Sequence, residues 1–179
     1  MLYAITYPER VQRLIICNSM PAYEGTWKKE MDSIEREREH HYRVQEKLDA
    51  LERSGLREKN PELYFQRYVL IRSWRIFADT ADASKTVYTI EPCPLVNHLA
   101  WESLKDYDFR EELKKLKIPT LIIHGEKDII PLKYADELHK LIPHSRFVIT
   151  RKGHQPYIED PKTFFGSIKE FLRSSPAVD

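Results

Sequence analysis

The sequence predicts an α/β fold, a short parallel sheet interrupted by a helical insertion, on three observations. Short apolar runs bounded by turn residues, Leu14-Ile15-Ile16-Cys17, Thr120-Leu121-Ile122-Ile123 and Arg146-Phe147-Val148-Ile149, occur near both ends of the chain, as strands of a parallel sheet do. Amphipathic helical patterns follow the last two runs, from Tyr134 to Ile142 and from Pro161 to Leu172, and a strand-helix-strand-helix order implies parallel pairing through right-handed crossovers. Between the first and second runs the composition shifts to charged residues with apolar ones at three- and four-residue steps, which is helical spacing.

In chain order, Met1-Leu2-Tyr3-Ala4-Ile5 runs into Tyr7-Pro8-Glu9-Arg10-Val11 without a capping residue and reads as the tail of a helix. Leu14 to Cys17, closed by Asn18, Ser19 and Pro21, reads as a strand buried on both faces. Trp27 to Arg53 carries Trp27, Met31, Ile34, His41, Val44, Leu48 and Leu51 on one face, which predicts a single long helix ended by Ser54-Gly55. Asn60-Pro61-Glu62 supplies a cap, a first-turn proline and a first-turn acid for a second helix bearing Leu63, Tyr64, Tyr68, Ile71, Trp74 and Phe77. Thr80 to Pro94 reads as irregular, Leu95 to Leu104 as a short helix and Phe109 to Leu116 as a charged helical turn.

The 29 basic and 28 acidic side chains nearly cancel, which removes the whole-chain electrostatic case for nucleic acid or an anionic membrane as partner. No apolar run approaches the ~20 residues of a membrane span, and the first residues lack a signal-peptide pattern, so a cytoplasmic location is the default expectation. Cys17 and Cys93 are far apart and in no ligand-spaced cluster; they read as small apolar residues, and neither a disulfide, a metal nor another cofactor is expected.

Two segments carry chemistry. Ile118-Pro119-Thr120-Leu121-Ile122-Ile123-His124-Gly125-Glu126-Lys127-Asp128 is a strand followed by a turn that presents a carboxylate, and Lys152-Gly153-His154-Gln155-Pro156 presents a histidine after the next strand. Open α/β sheets build their sites at the C-terminal ends of strands. Asp128 and His154 at successive strand ends can therefore meet, the acid setting the imidazole tautomer and stabilising its charged form.

These residues resemble the last strands of the α/β-hydrolase family, in which Gly-x-x-Asp supplies the acid of a catalytic triad and Gly-His its base; Tyr7-Pro8-Glu9-Arg10-Val11 with Leu14-Ile15-Ile16 is similar to the segment after that family's nucleophile helix. Lys105-Asp106-Tyr107-Asp108 leading into Leu116-Lys117-Ile118-Pro119-Thr120 looks like the proline iminopeptidase-like subgroup. The resemblance implies a partial hydrolase sheet of the last three strands. It divides the chain into the start of the core at 1–23, a helical cap over 24–115 and a C-terminal core at 116–179. Asp128 would be the triad acid and His154 the base.

The family's Gly-x-Ser-x-Gly nucleophile turn occurs nowhere in the chain, and the resemblance would place it a few residues before Met1. Ser19 lacks the flanking glycines of such a turn. Without serine and oxyanion donors the chain alone is expected to be inactive or weak, and the strand at Leu14 to Cys17 is expected to be covered by an upstream hydrolase half or by self-association. In the cap, Tyr64, Tyr68, Trp74, Phe77 and Trp101 could line an apolar substrate pocket, although packing between cap helices accounts for most such aromatics; His98 lies in Val96-Asn97-His98-Leu99, near where iminopeptidases carry acidic residues for the substrate's amine, and Glu91 and Glu102 are neighbouring candidates. The expected function is therefore part of a serine hydrolase acting on an ester or amide of a small apolar substrate. The alternative is a non-catalytic binding protein that keeps the scaffold and uses its long charged helix as a contact surface.

Overall fold

The apolar runs form strands β1 (Leu14–Cys17), β2 (Thr120–Gly125) and β3 (Arg146–Thr150), and the computed structural model, which describes residues 1–86, 93–104 and 106–174, pairs them all in parallel in the order β1-β2-β3. The register sets Ile16 opposite Ile122 and Ile122 opposite Phe147. All six residues of β2 are buried, as expected for a strand with a neighbour on each side. On β1 only Ile16 is fully buried and the rest are half-buried. The expectation of burial on both faces thus fails for this strand, because among the described residues it lies at the sheet edge.

Helix α1 (Leu2–Thr6) and a short 3-10 turn at Pro8–Arg10 precede β1. Between β1 and β2 run α2 (Trp27–His41), α3 (Val44–Arg53), α4 (Leu56–Lys59), α5 (Pro61–Ser73), α6 (Thr80–Ala83), α7 (Pro94–Ser103) and α8 (Arg110–Leu113). Then come α9 (Leu132–Leu141) between β2 and β3, and α10 (Pro156–Glu159) with α11 (Pro161–Arg173) after β3. Side-chain alternation along β2 divides the core. Ile122 faces Ala135 and Leu138 of α9 together with Ile142, Leu113, Leu116 and Ile118, whereas Leu121 and Ile123 face Phe164, Ile168 and Phe171 of α11. Each face of the sheet is thereby covered by the helix that its own strand order leads into.

The single helix predicted over Trp27 to Arg53 is two. Arg43 takes a left-handed conformation with φ of 53° and lets the chain turn, so that Val44 and Leu51 bury on α3, which packs against α5. The apolar spacing continues across the break because both halves bury a face, and spacing alone does not register the turn. Asn60 caps α5 as expected, its Oδ1 accepting from the Leu63 amide at 3.1 Å. The helix ends at Ser73, leaving Trp74 and Phe77 in the connection. Within the stretch read as irregular, Asp79 caps the short α6 by accepting from the Ala81 amide at 2.9 Å. Contrary to the reading of both cysteines as buried apolar residues, Cys93 is exposed and Cys17 half-buried. Among the described residues no helix is long and apolar enough to cross a membrane.

Leu121→Ala, at a position with no exposed surface on the central strand, should lower the unfolding free energy by about 2–5 kcal/mol, measured as a drop in the urea midpoint. Ile149→Thr, on a side chain 47% exposed on β3, should move it by about 0.5 kcal/mol or less.

Candidate functional site

The parallel ladder does not stop where β2 and β3 end. The Glu126 amide donates to the Thr150 carbonyl at 2.8 Å and the Lys127 amide to the Lys152 carbonyl at 3.0 Å, so the two turns leave the sheet side by side. Gly125 makes this approach possible, since a Cβ there would lie 2.2 Å from the Gly153 carbonyl oxygen. The Asp128 amide then closes a turn onto the Gly125 carbonyl at 3.1 Å, and Asp128 Oδ1 accepts from the Ile130 amide at 3.0 Å.

That same Oδ1 accepts from Nδ1 of His154 at 2.8 Å. A carboxylate only accepts, so the hydrogen sits on Nδ1 and the neutral ring keeps its lone pair on Nε2. The Asp128 carboxylate has no exposed surface, whereas the His154 side chain is 26% exposed. The acid is therefore sealed behind a histidine that faces outward. Desolvation strengthens this bond, because water does not compete for the carboxylate.

Two further residues hold the acid turn, and sequence reading assigned neither a role. His124, on β2, is buried, and its Nε2 donates to the Ile130 carbonyl at 2.8 Å while lying 3.6 Å from Asp128 Oδ2. Burial pushes its pKa below the ordinary imidazole value despite the opposing pull of Asp128 and of the Ile130 carbonyl, so the ring is a neutral donor that pins the turn. Asn18, just past β1 with φ of 41°, joins three chain segments. Its amide donates to the Ile123 carbonyl at 3.0 Å, its Oδ1 accepts from the Gly125 amide at 3.1 Å, and its Nδ2 donates to the Gly153 carbonyl at 3.2 Å. The only sequence signal for Asn18 is an asparagine at a strand end, which ordinarily marks a turn.

Among possible nucleophiles near the strand ends, Ser19 donates its hydroxyl to the Met20 carbonyl at 3.1 Å. Burial, with the negative charge of Asp128 adding to it, pushes the Cys17 thiol up to about 11, so it stays protonated at neutral pH and is a poor nucleophile. Among the described residues no group of three or more His, Cys, Asp or Glu could hold a metal ion.

The aromatic candidates divide. Trp74 is half-buried with the Lys47 ammonium 4.8 Å from its ring, in the connection whose Ile76 carbonyl accepts from the His154 amide at 3.2 Å. Phe77 is fully buried. Tyr64 and Tyr68 stack on each other at 6.3 Å along α5, Tyr68 being exposed. Trp101, on α7, tilts against the buried Trp27 at 5.9 Å, and His98 on the same helix is exposed. Glu102 is exposed on α7 as well, and Glu91 lies outside the described residues.

Gly125→Ala should force the two turns apart, with the loss of the downfield Nδ1 proton resonance of His154 and a destabilisation of about 1–3 kcal/mol, measured by proton NMR and urea unfolding. For His124 the folded state binds a proton less readily than the unfolded chain, so stability should fall as pH drops below the ordinary histidine value of about 6.5. His124→Gln, which can still donate to the Ile130 carbonyl, should lose the part of that slope between pH 7 and 5 due to this residue, read as the difference in urea midpoint between the two proteins.

Comparison with known proteins agrees with this architecture. The chain is 39% identical over 74 residues to the AB hydrolase superfamily protein YisY of Bacillus subtilis, covering 40% of this chain and 28% of that protein. It is 33% identical over 72 residues to the pimeloyl-[acyl-carrier protein] methyl ester esterase of Vibrio vulnificus, covering 39% of this chain and 28% of the esterase. An α/β fold family hydrolase from Bacillus anthracis superposes with a TM-score of 0.64 at 21% identity, over 96% of this chain and 62% of that one. The chain thus spans less than two thirds of the length of these relatives. The alpha/beta hydrolase fold family matches residues 1–161, and with most of its length inside that match, the chain belongs to the α/β-hydrolase fold family.

Proposed function

We propose that this chain supplies the acid and the base of a serine hydrolase that cleaves an ester or amide of a small apolar substrate. The observation that carries the reading is the buried Asp128 carboxylate accepting from Nδ1 of an outward-facing His154. In this arrangement Nε2 takes the proton of a serine hydroxyl as the oxygen attacks the substrate carbonyl. His154 then gives that proton to the departing alcohol or amine, and a water attacks the acyl-enzyme by the same route. Asp128 fixes the tautomer and stabilises the imidazolium formed in each step.

The chain contains no Gly-x-Ser-x-Gly, and the protonated Cys17 is a poor substitute. The nucleophile and the oxyanion donors therefore belong to a segment outside these residues, an upstream hydrolase half or a second chain, which would cover the edge of β1. The half-burial of Leu14, Ile15 and Cys17 supports such a cover. The helices of the 24–115 stretch act as a cap between core segments 1–23 and 116–179, with Tyr68, Trp74, Trp101 and His98 as its substrate contacts. Sequence similarity to a methyl ester esterase supports an ester as the bond cleaved, and the Lys105 to Thr120 pattern supports the proline iminopeptidase-like subgroup.

A series of small p-nitrophenyl esters assayed with the chain alone, and with an added chain bearing the Gly-x-Ser-x-Gly turn, tests this. Turnover is expected only in the mixture, and Asp128→Asn should reduce it by about 10⁴-fold. A mixture that binds tightly yet hydrolyses no ester or amide would favour a scaffold that binds without catalysis. Turnover that survives His154→Ala would remove the base from its role.

A further inference from the structure

A histidine that must point one way needs its own backbone held, and the loop after β3 has three successive amides, of Gly153, His154 and Gln155, that leave the sheet ladder. None is unpaired. The Gly153 amide donates to Glu159 Oε2 at 3.1 Å and the Gln155 amide to Glu159 Oε1 at 3.0 Å, so one carboxylate clasps the backbone on both sides of His154. The amide of His154 itself donates to the Ile76 carbonyl at 3.2 Å. Glu159 Oε2 also accepts from the Ala78 amide at 2.8 Å. Glu159 is buried, and a buried carboxylate is tolerated where charge-assisted bonds of this kind replace its hydration.

The same carboxylate therefore joins the histidine loop to the connection between α5 and α6. That connection is tied elsewhere too. Tyr42 donates to the Ala78 carbonyl at 3.2 Å. Arg38 donates both to the Arg75 carbonyl and to the Lys127 carbonyl beside Asp128, and just beyond the connection Lys152 pairs with the buried Asp82 of α6 at 2.8 Å. Gly153 allows the loop to lie this close, because a Cβ there would sit 2.7 Å from the Ala78 amide nitrogen and 3.0 Å from Glu159 Oε1.

We propose that Glu159 is a positioning residue for His154: by holding the amides on either side of it and the Ala78 amide at once, it sets the imidazole's direction and transmits movement of the α5–α6 connection to it. Its relevance to catalysis rests on the reading of His154 as the base. Its structural content does not, and the experiment keeps the two apart.

The test uses the full chain labelled with nitrogen-15 and carbon-13. Through-hydrogen-bond couplings from the Gly153, Gln155 and Ala78 amides to the Glu159 carboxyl carbon are expected in the wild-type protein, and their absence overturns the proposal without any variant. Glu159→Gln keeps the shape but leaves a single acceptor oxygen. In it, amide exchange at residues 78, 153 and 155 should rise roughly tenfold or more while the β2 amides keep their protection. The imidazole nitrogen shifts of His154 should also move toward those of a ring that has lost its fixed Nδ1 hydrogen bond. Glu159→Asp, a methylene shorter, should behave like the glutamine variant if reach matters. Unchanged imidazole shifts in folded Glu159→Gln overturn the positioning role. A wild-type His154 signature that is intact in a mixture without ester turnover would instead count against the hydrolase reading.

Discussion

The close passage of two turns at the C-terminal ends of β2 and β3 is the constraint on which the candidate site depends. A hydrogen bond of 2.8 Å between Asp128 and His154 requires their backbones to approach more closely than residues with side chains allow. Gly125 supplies the room, because a Cβ there would meet the Gly153 and Lys152 carbonyls, while Gly153 lets the α5–α6 connection lie against the histidine loop. The ladder bonds that continue past the strands, from Glu126 to Thr150 and from Lys127 to Lys152, then fix how far along each turn Asp128 and His154 appear. Side-chain chemistry at this site thus follows from backbone pairing begun in the middle of the sheet.

Burying polar groups to fix such a pair is costly unless each finds a partner, and the site meets most of that demand within a few residues. Asn18 satisfies a donor on β2 and an acceptor on the histidine loop with one side chain. His124 spends its only hydrogen on the Ile130 carbonyl, and the Ile130 amide serves Asp128. Exceptions among the described residues include Thr150 Oγ1 and Asp128 Oδ2, the latter buried without a hydrogen-bond donor and 3.6 Å from the neutral His124 ring.

Elements set by local pattern were legible in the sequence. The apolar runs of β2 and β3, the Asn60-Pro61 cap of α5, and the turn glycines preceding Asp128 and His154 each depend on near neighbours along the chain, and all sit where the residues indicate. What escaped depends on partners far away. The turn at Arg43 answers to the packing of α3 on α5, and the incomplete burial of β1 to the strand order. The role of Asn18 and the tie of Glu159 to the α5–α6 connection exist only because residues 107 and 81 positions away are brought beside them. A lone asparagine after a strand or a lone glutamate in a short helix offers no periodicity to read.

The arrangement also separates the bonds within the Asp128–His154 pair from what surrounds it. Among the described residues every hydrogen bond to the Asp128 and His154 side chains comes from one of the two turns themselves, through the Ile130 amide and the mutual bond. The exposed aromatics Tyr68 and Trp101 belong to two other groups, one along α5 and one between α2 and α7. The helices reach the pair chiefly through the backbone of residues 75–78, by the Ile76 carbonyl, the Ala78 amide and the bridge from Arg38. The connection itself contributes backbone atoms to these bonds, the Ile76 carbonyl and the Ala78 amide, while the helix side chains of Arg38 and Glu159 supply partners on either side.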